Sequence, residues 1–175
     1  IAGSVLSTTI PTIQGSAEVS STVDVYANGA VICNVTTNGL GLFDCTANAA
    51  LSTGANVITA TATDGAGNVS LPSVPVTITI DLLPTAEHII VSPLSGTTIT
   101  STTPTIQGTA EVSSVVDVYA NGTAICSTTT DGLGSFGCTA MTALAVGSNV
   151  ITATATDLAG NGSLPSNAVE ITITL

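Results

Sequence analysis

Apolar and polar side chains alternate along several short segments of this chain. Within residues 56–63, threonine alternates with isoleucine or alanine, and within residues 76–80 it alternates with valine or isoleucine. A period of two residues puts successive side chains on opposite faces of an extended backbone, which is typical of a β-strand with one buried face. Both segments are therefore predicted to be β-strands.

Further strands are predicted between residues that favour turns. Asn28-Gly29 and Asn38-Gly39 are dipeptides typical of tight hairpins. The segments that they bound are rich in valine, threonine and other strand-forming residues. Four more strands are therefore predicted, at residues 12–17, 22–26, 31–36 and 42–46. The last two are expected to pair as a hairpin about Gly39.

The whole pattern occurs twice, at a constant offset of 93 residues. Residues 11–80 and 104–173 align without a gap, and 51 of the 70 aligned positions are identical. A repeat of this length predicts a tandem array in which each copy folds around its own core. We therefore predict two domains, residues 1–82 and 83–175. Repetition of one unit lengthens a structure or multiplies a weak site more readily than it creates a second reaction.

The two copies differ at their N-terminal sides. Ile1 aligns with Leu94, so the first copy lacks a counterpart of residues 84–93. That segment contains Glu87-His88-Ile89-Ile90-Val91, which predicts a first β-strand in which His88 has a structural role. Two explanations are open: the sequence is a window on a longer array, or a neighbouring chain donates the missing strand.

The charge balance limits the possible partners. The chain has no lysine or arginine and eleven carboxylates, so its formal net charge is −11 at pH 7. Binding to a nucleic-acid backbone depends on lysine and arginine, which excludes nucleic acid as a partner. No apolar run is long enough to insert into a membrane. The acidity either keeps the surface soluble or attracts metal cations.

Each copy contains one pair of cysteines, in a chain whose aromatic content is only 2%. Cys33 and Cys45 are placed symmetrically about Gly39, and the second copy repeats this arrangement about Gly132. A hairpin at the glycine brings the two thiols opposite each other and places Val31 and Val35 beside them in the core. A disulfide indicates an oxidising, extracellular compartment. The predicted disulfides are Cys33 to Cys45 and Cys126 to Cys138.

Three motifs carry a resemblance to a known family: Pro-Thr-Ile-Gln-Gly-Ser-Ala-Glu at residues 11–18, Val-Asp-Val-Tyr-Ala-Asn-Gly at residues 23–29, and Ile-Thr-Ala-Thr-Ala-Thr-Asp-Gly-Ala-Gly-Asn at residues 58–68. They resemble the bacterial immunoglobulin-like repeats of large surface adhesins and other extracellular proteins, and the similarity covers nearly the whole chain. The resemblance implies an all-β fold of two tandem immunoglobulin-like Greek-key β-sandwiches. The cysteine pairs and the lack of lysine and arginine depart from the usual pattern of these repeats.

The resemblance also implies a calcium site at the junction of the two modules. In an immunoglobulin-like sandwich, the second-to-third and sixth-to-seventh strand loops share the end at which the chain enters. Ca²⁺ prefers oxygen ligands, and adhesin repeats similar to this one often stiffen their junctions with calcium. The alternative is that Asp157 and Asn161 only shape a turn. The predicted ligands are Asp81, Glu111, Asp157 and Asn161.

These observations predict a structural protein rather than an enzyme. The principal hypothesis is a structural repeat of an extracellular stalk or filament on a cell surface, whose partners are further copies of the same module in the same or neighbouring chains. The alternatives are a ligand-binding module of a bacterial adhesin and a non-catalytic spacer of a secreted enzyme. No catalytic residue is predicted, because the one histidine cannot recur in each copy as part of a triad.

Overall fold

A computed structural model describes residues 3–85 and 88–175 and shows an all-β protein. The described residues form fifteen strands and no helix. Nothing in this part of the chain is therefore a helix of the length and apolarity needed to cross a membrane. The chain divides into two compact units, Ile1–Leu82 (unit 1) and Leu83–Leu175 (unit 2).

The described residues of unit 1 form seven strands in two sheets. The strands are β1 (Val5–Leu6), β2 (Thr12–Ser16), β3 (Thr22–Ala27), β4 (Ala30–Thr36), β5 (Leu42–Thr46), β6 (Gly54–Thr63) and β7 (Val76–Ile80). The larger sheet has the order β1-β7-β6-β3-β4, and the smaller one consists of β2 and β5. Neighbouring strands are antiparallel except for β1, which runs parallel to β7.

Unit 2 repeats this arrangement with one more strand. Its strands are β8 (Ile89–Ser92), β9 (Thr97–Ile99), β10 (Thr105–Thr109), β11 (Val115–Ala120), β12 (Thr123–Thr129), β13 (Ser135–Thr139), β14 (Gly147–Thr156) and β15 (Val169–Ile173). The larger sheet has the order β12-β11-β14-β15-β9, which matches unit 1. The smaller sheet has three strands, β13-β10-β8, because β8 adds to the edge of β10.

A separate core lies between the two sheets of each unit. In β3, Val23, Val25 and Ala27 are buried while the residues between them are partly exposed, as the period of two requires. The chain changes sheet between β2 and β3 and again between β4 and β5, which is the Greek-key connectivity of an immunoglobulin-like sandwich. The predicted fold class is confirmed.

The predicted hairpin about Gly39 is wrong, because β4 and β5 belong to different sheets. The side-chain oxygen of Asn38 accepts hydrogen bonds from the backbone N–H groups of Leu40 (2.9 Å) and Leu42 (3.0 Å), which builds a compact turn. Gly41 follows with φ of 74°. Its carbonyl accepts a hydrogen bond from the N–H of Ala17 at 2.9 Å. Because Ala17 directly follows β2, this bond holds the end of the turn beside the smaller sheet.

The predicted inward position of Val31 is also wrong. Val31 is 52% exposed, whereas Ile32 and Cys33 are both buried. The pairing of β3 with β4 shifts register between Val25 and Tyr26, so an extra residue is accommodated in β4. This bulge turns Ile32 into the core in place of Val31. The same shift recurs between β11 and β12 of unit 2.

Candidate functional site

One disulfide braces the core of each unit. Cys33 and Cys45 are joined with an S–S distance of 2.03 Å, and Cys126 and Cys138 with a distance of 2.08 Å. All four cysteines are buried. Because β4 and β5 lie in different sheets, the bond ties the two layers of the sandwich together instead of linking neighbours in a hairpin. In the chain-entropy model, closing a loop of this length stabilises a domain by about 3 kcal/mol.

Two of the four predicted calcium ligands lie together in one turn. One carboxylate oxygen of Asp157 accepts a hydrogen bond from the backbone N–H of Asn161, and the other accepts one from the Asn161 side-chain amide, both at 2.8 Å. Desolvation alone raises the pKa of Asp157, but the hydrogen bonds from Asn161 and two backbone N–H groups outweigh it, so the pKa lies below its ordinary value of 3.8.

Unit 1 builds the same turn from the equivalent residues. Asp64 accepts hydrogen bonds from the backbone of Ala66 (2.9 Å) and from the backbone and side chain of Asn68 (both 2.8 Å). These bonds, led by the Asn68 side chain, lower the pKa of Asp64 from its ordinary value. The Asp-x-Ala-Gly-Asn motif therefore forms a carboxylate-centred turn in each copy.

The other two predicted calcium ligands are placed in different units. Asp81 follows β7 in unit 1, and its backbone N–H donates to the carbonyl of Leu6 at 2.9 Å. Glu111 lies between β10 and β11 of unit 2, where its carbonyl accepts hydrogen bonds from the hydroxyl groups of Ser114 and Thr130. Across residues 3–85 and 88–175, no three His, Cys, Asp or Glu side chains form a group suited to a metal ion. The calcium site stays a prediction.

His88 lies just before β8 and is buried against unit 2. Its Nε2 atom is 2.7 Å from the carbonyl oxygen of Ala153 in β14. The hydroxyl of Thr85 donates to the carbonyl of Ala155 at 3.3 Å, two residues further along the same strand. His88 thus helps to hold the N-terminal end of β8 on the sandwich. Glu87, the first residue of the predicted strand, lies outside the described residues.

A groove runs along the edge of β2 in unit 1. Two cavities, of about 480 and 330 Å³, share the lining residues Ser16, Phe43, Ala60 and Ser73. In the described part of unit 1, β2 pairs with β5 alone. We call these two cavities together the edge groove.

The edge groove occupies the place that β8 fills in unit 2. There, β8 pairs antiparallel with β10, with Gly108 opposite Ile90 and Thr109 opposite Ile89. Ile90 is buried in the core of unit 2. The sequence indicated this difference through the missing counterpart of residues 84–93, but it did not indicate that the rest of unit 1 keeps the cleft open.

Comparisons with known proteins agree with this architecture. A family model described as a bacterial Ig-like domain matches residues 3–82 and again residues 94–174. The fibronectin(III)-like modules of Clostridium thermocellum CbhA superpose with a TM-score of 0.60 at 20% identity, covering 99% of this chain and 90% of that one. A marsupial T cell receptor superposes with a TM-score of 0.61 at 9% identity, covering 99% and 71%. These likenesses show the fold alone.

Parts of an adhesion protein and of a biofilm associated protein are also among the similar structures, at lower TM-scores. A tetra-tandem repeat in the extending region of a large adhesion protein is 21% identical with a TM-score of 0.43, covering 99% of this chain. The BSP domain of a biofilm associated protein is 20% identical with a TM-score of 0.41, also covering 99% of this chain. The chain spans 48% and 29% of these two structures. No curated protein matches the chain.

Proposed function

Because this chain belongs to the bacterial Ig-like domain family, in two tandem copies, we propose that it is a structural repeat module of an extracellular stalk or filament. The observation that carries the proposal is the gap-free repeat, in which 51 of 70 aligned positions are identical. A module that is copied this closely, with its core and disulfide intact, extends a structure by a fixed increment.

The chemistry of the chain supports a role outside the cell. A buried disulfide in each unit forms and persists in oxidising compartments. The chain offers no lysine or arginine to trypsin-like proteases, and its formal net charge of −11 opposes aggregation. These properties suit a component that remains exposed on a cell surface for long periods.

A ligand-binding module of an adhesin is the second candidate. The edge groove supports it, because a cleft of this size with an open sheet edge is able to receive an extended peptide. Unit 2 fills the same place with its own strand, however, so the groove does not recur in both copies. A stalk role uses the features that both units share, whereas an adhesin role rests on the one feature that they do not.

Concatenation of the chain tests the stalk role. We would join one, two and four copies end to end and measure the maximum dimension of each product by small-angle X-ray scattering. A stalk module should add an equal length with each copy. Concatemers that collapse into compact particles, whose dimension hardly grows with copy number, would argue against the proposal. Pull-down against host and bacterial surface polymers, with the same concatemers, tests the adhesin alternative.

The same concatemers test the predicted calcium ligands. If Asp81, Glu111, Asp157 and Asn161 bind Ca²⁺, removal of the ion with a chelator should shorten or broaden the distance distribution and lower the melting temperature. The matched control is Asp157→Asn, which keeps the turn because an amide oxygen still accepts the backbone hydrogen bond. An identical profile with and without chelator would leave these residues as turn formers.

A further inference from the structure

In unit 2, β8 shows how a strand is held at the position that corresponds to the edge groove of unit 1. On one side β8 pairs with β10. On the other side the Asn167 side chain accepts a hydrogen bond from the backbone N–H of Ile90 at 2.9 Å, and its amide lies 3.4 Å from the Ile90 carbonyl. The backbone of β8 thus forms hydrogen bonds along both of its edges. The Ile90 side chain packs into the core of unit 2.

Unit 1 presents most of the same receiving surface. Ala60 and Ala62 of β6 correspond to Ala153 and Ala155, whose carbonyls are the partners of His88 and Thr85 in unit 2. Both alanines line the edge groove and are only partly buried, whereas Ala153 and Ala155 are 0% and 1% exposed. Unit 1 therefore has the equivalent backbone carbonyls and apolar side chains, but not the strand that covers them in unit 2.

We propose that the edge groove is the acceptor for a strand of the kind that β8 (Ile89–Ser92) forms in unit 2, supplied within one array by the linker from a preceding copy of the module. This inference rests on the proposed role as a repeat in an array and names how one module is joined to the next. The strand lies antiparallel to β2, places an apolar side chain into the core at the position of Ile90, and pairs its backbone with the edge of β2 that faces the groove.

Chain geometry favours the same polypeptide over a second molecule. Gly3 N–H donates to the carbonyl of Thr77 at 2.9 Å, and Gly96 N–H donates to the carbonyl of Glu170 at 2.7 Å, so the backbone enters both units at the same point. In unit 2, three residues separate the end of β8 from Gly96. A strand joined to unit 1 therefore reaches the groove through a short connection and avoids the entropy cost of association between molecules.

A second copy of the chain is a poorer donor. Its β8 strand is already paired with β10 of its own unit 2, so it exposes one groove in order to fill another. Such an exchange leaves the number of paired sheet edges unchanged. Association of the two molecules also costs translational entropy, which opposes the exchange. The same-chain arrangement fills the groove of unit 1 without opening the groove of unit 2.

The experiment adds the sequence of residues 84–93 directly ahead of Ile1, which reproduces the spacing between this segment and Leu94. A matched control carries Ile90→Asp within the added copy, which would bury an unpaired carboxylate. Amide hydrogen exchange is measured in β2, and β10 of unit 2 serves as the internal reference. We expect exchange in β2 to slow by about tenfold or more in the extended chain and to stay unchanged in the control.

Equal exchange rates in the parent, extended and control chains would overturn the proposal. Sedimentation of the parent chain over a wide concentration range tests the source of the strand. A parent chain that stays monomeric supports the same-chain source. A parent dimer that protects β2 and dissociates when the extension is added would overturn it in favour of a second copy. Neither result changes the increment of length per copy, so the stalk role is judged separately.

Discussion

Units 1 and 2 share most of their sequence, and they differ at one edge of one sheet. In unit 2 the smaller sheet has three strands, whereas in unit 1 its two strands leave the edge groove beside β2. Two-stranded sheets are marginal by themselves, so the smaller sheet of unit 1 depends more on its disulfide and on packing against the larger sheet. A single strand of four residues therefore determines how completely the core is covered.

Removal of the Ile90 side chain should make unit 2 resemble unit 1. Ile90 is 4% exposed and belongs to the core, so Ile90→Ala leaves a cavity and should cost about 2–4 kcal/mol of unfolding free energy. Denaturant unfolding of the whole chain, followed by hydrogen exchange in each unit, measures the loss. The matched control is Ile89→Ala, because Ile89 is 46% exposed and its truncation should have little effect. Equal losses for the two variants would mean that β8 is not packed as described.

A glycine opposite β8 gives a second way to separate the units. A Cβ atom at Gly108 would clash with the Phe136 ring at 2.5 Å and with the backbone carbonyl of Ile89. At the equivalent Gly15 only the Phe43 ring, at 2.6 Å, stands in the way. Gly108→Ala should therefore destabilise unit 2 by about 2–3 kcal/mol, and Gly15→Ala should cost unit 1 less.

Melting curves of the two glycine variants measure this difference. The clash with the aromatic ring occurs in both units, so it acts as an internal control. Any additional loss of stability in Gly108→Ala is therefore due to the clash with β8. A larger loss for Gly15→Ala than for Gly108→Ala would contradict the description of an uncovered β2 edge.

The sequence predicts the strands of this fold better than it predicts their partners. Residues 42–46 and 76–80 are strands with the predicted bounds, because their local composition and alternation suffice to define them. The prediction of a hairpin about Gly39 is wrong, because Asn-Gly occurs both in turns that connect two sheets and in turns within one sheet. The register shift that buries Ile32 depends on pairing with β3, which no local pattern encodes.

Exchange of one side chain between the units gives a third way to separate them. Asn167 binds the backbone of Ile90, but its counterpart in unit 1 is Val74, which is 84% exposed. Asn167→Val removes the acceptor of the Ile90 N–H and should destabilise unit 2 by about 1 kcal/mol. The reverse change, Val74→Asn, should leave the parent chain unaffected and slow exchange in β2 further once residues 84–93 are added ahead of unit 1.

Thermal unfolding of the parent and extended chains checks both exchanges. Asn167→Ser offers a milder control, because a shorter hydroxyl side chain does not reach as far as the amide. The interpretation fails if Val74→Asn stabilises unit 1 equally with and without the added strand.

The smallest expected difference between the units is in their stability at low pH. Asp131 of unit 2 replaces Asn38 of unit 1 in the same turn, and its carboxylate accepts hydrogen bonds from the backbone N–H groups of Ser135 and Leu133, both at 2.9 Å. These bonds lower the pKa of Asp131 from its ordinary value of 3.8. Because the folded-state pKa is the lower one, the stabilisation is complete above pH 3.8 and is lost as the pH falls through the folded-state value.

Asp131→Asn should therefore flatten the acid response of unit 2, since an amide oxygen accepts the same two hydrogen bonds and does not titrate in this range. Asp64 and Asp157 occupy equivalent turns and both have lowered pKa values, so their contributions largely cancel between the units. The reverse variant, Asn38→Asp, should give unit 1 the acid sensitivity that unit 2 loses. Hydrogen exchange or unfolding of each unit between about pH 2 and pH 6 measures both changes. If neither substitution alters the response, the pKa of the turn carboxylate is the same in the folded and unfolded states, and the hydrogen bonds of the turn do not lower it.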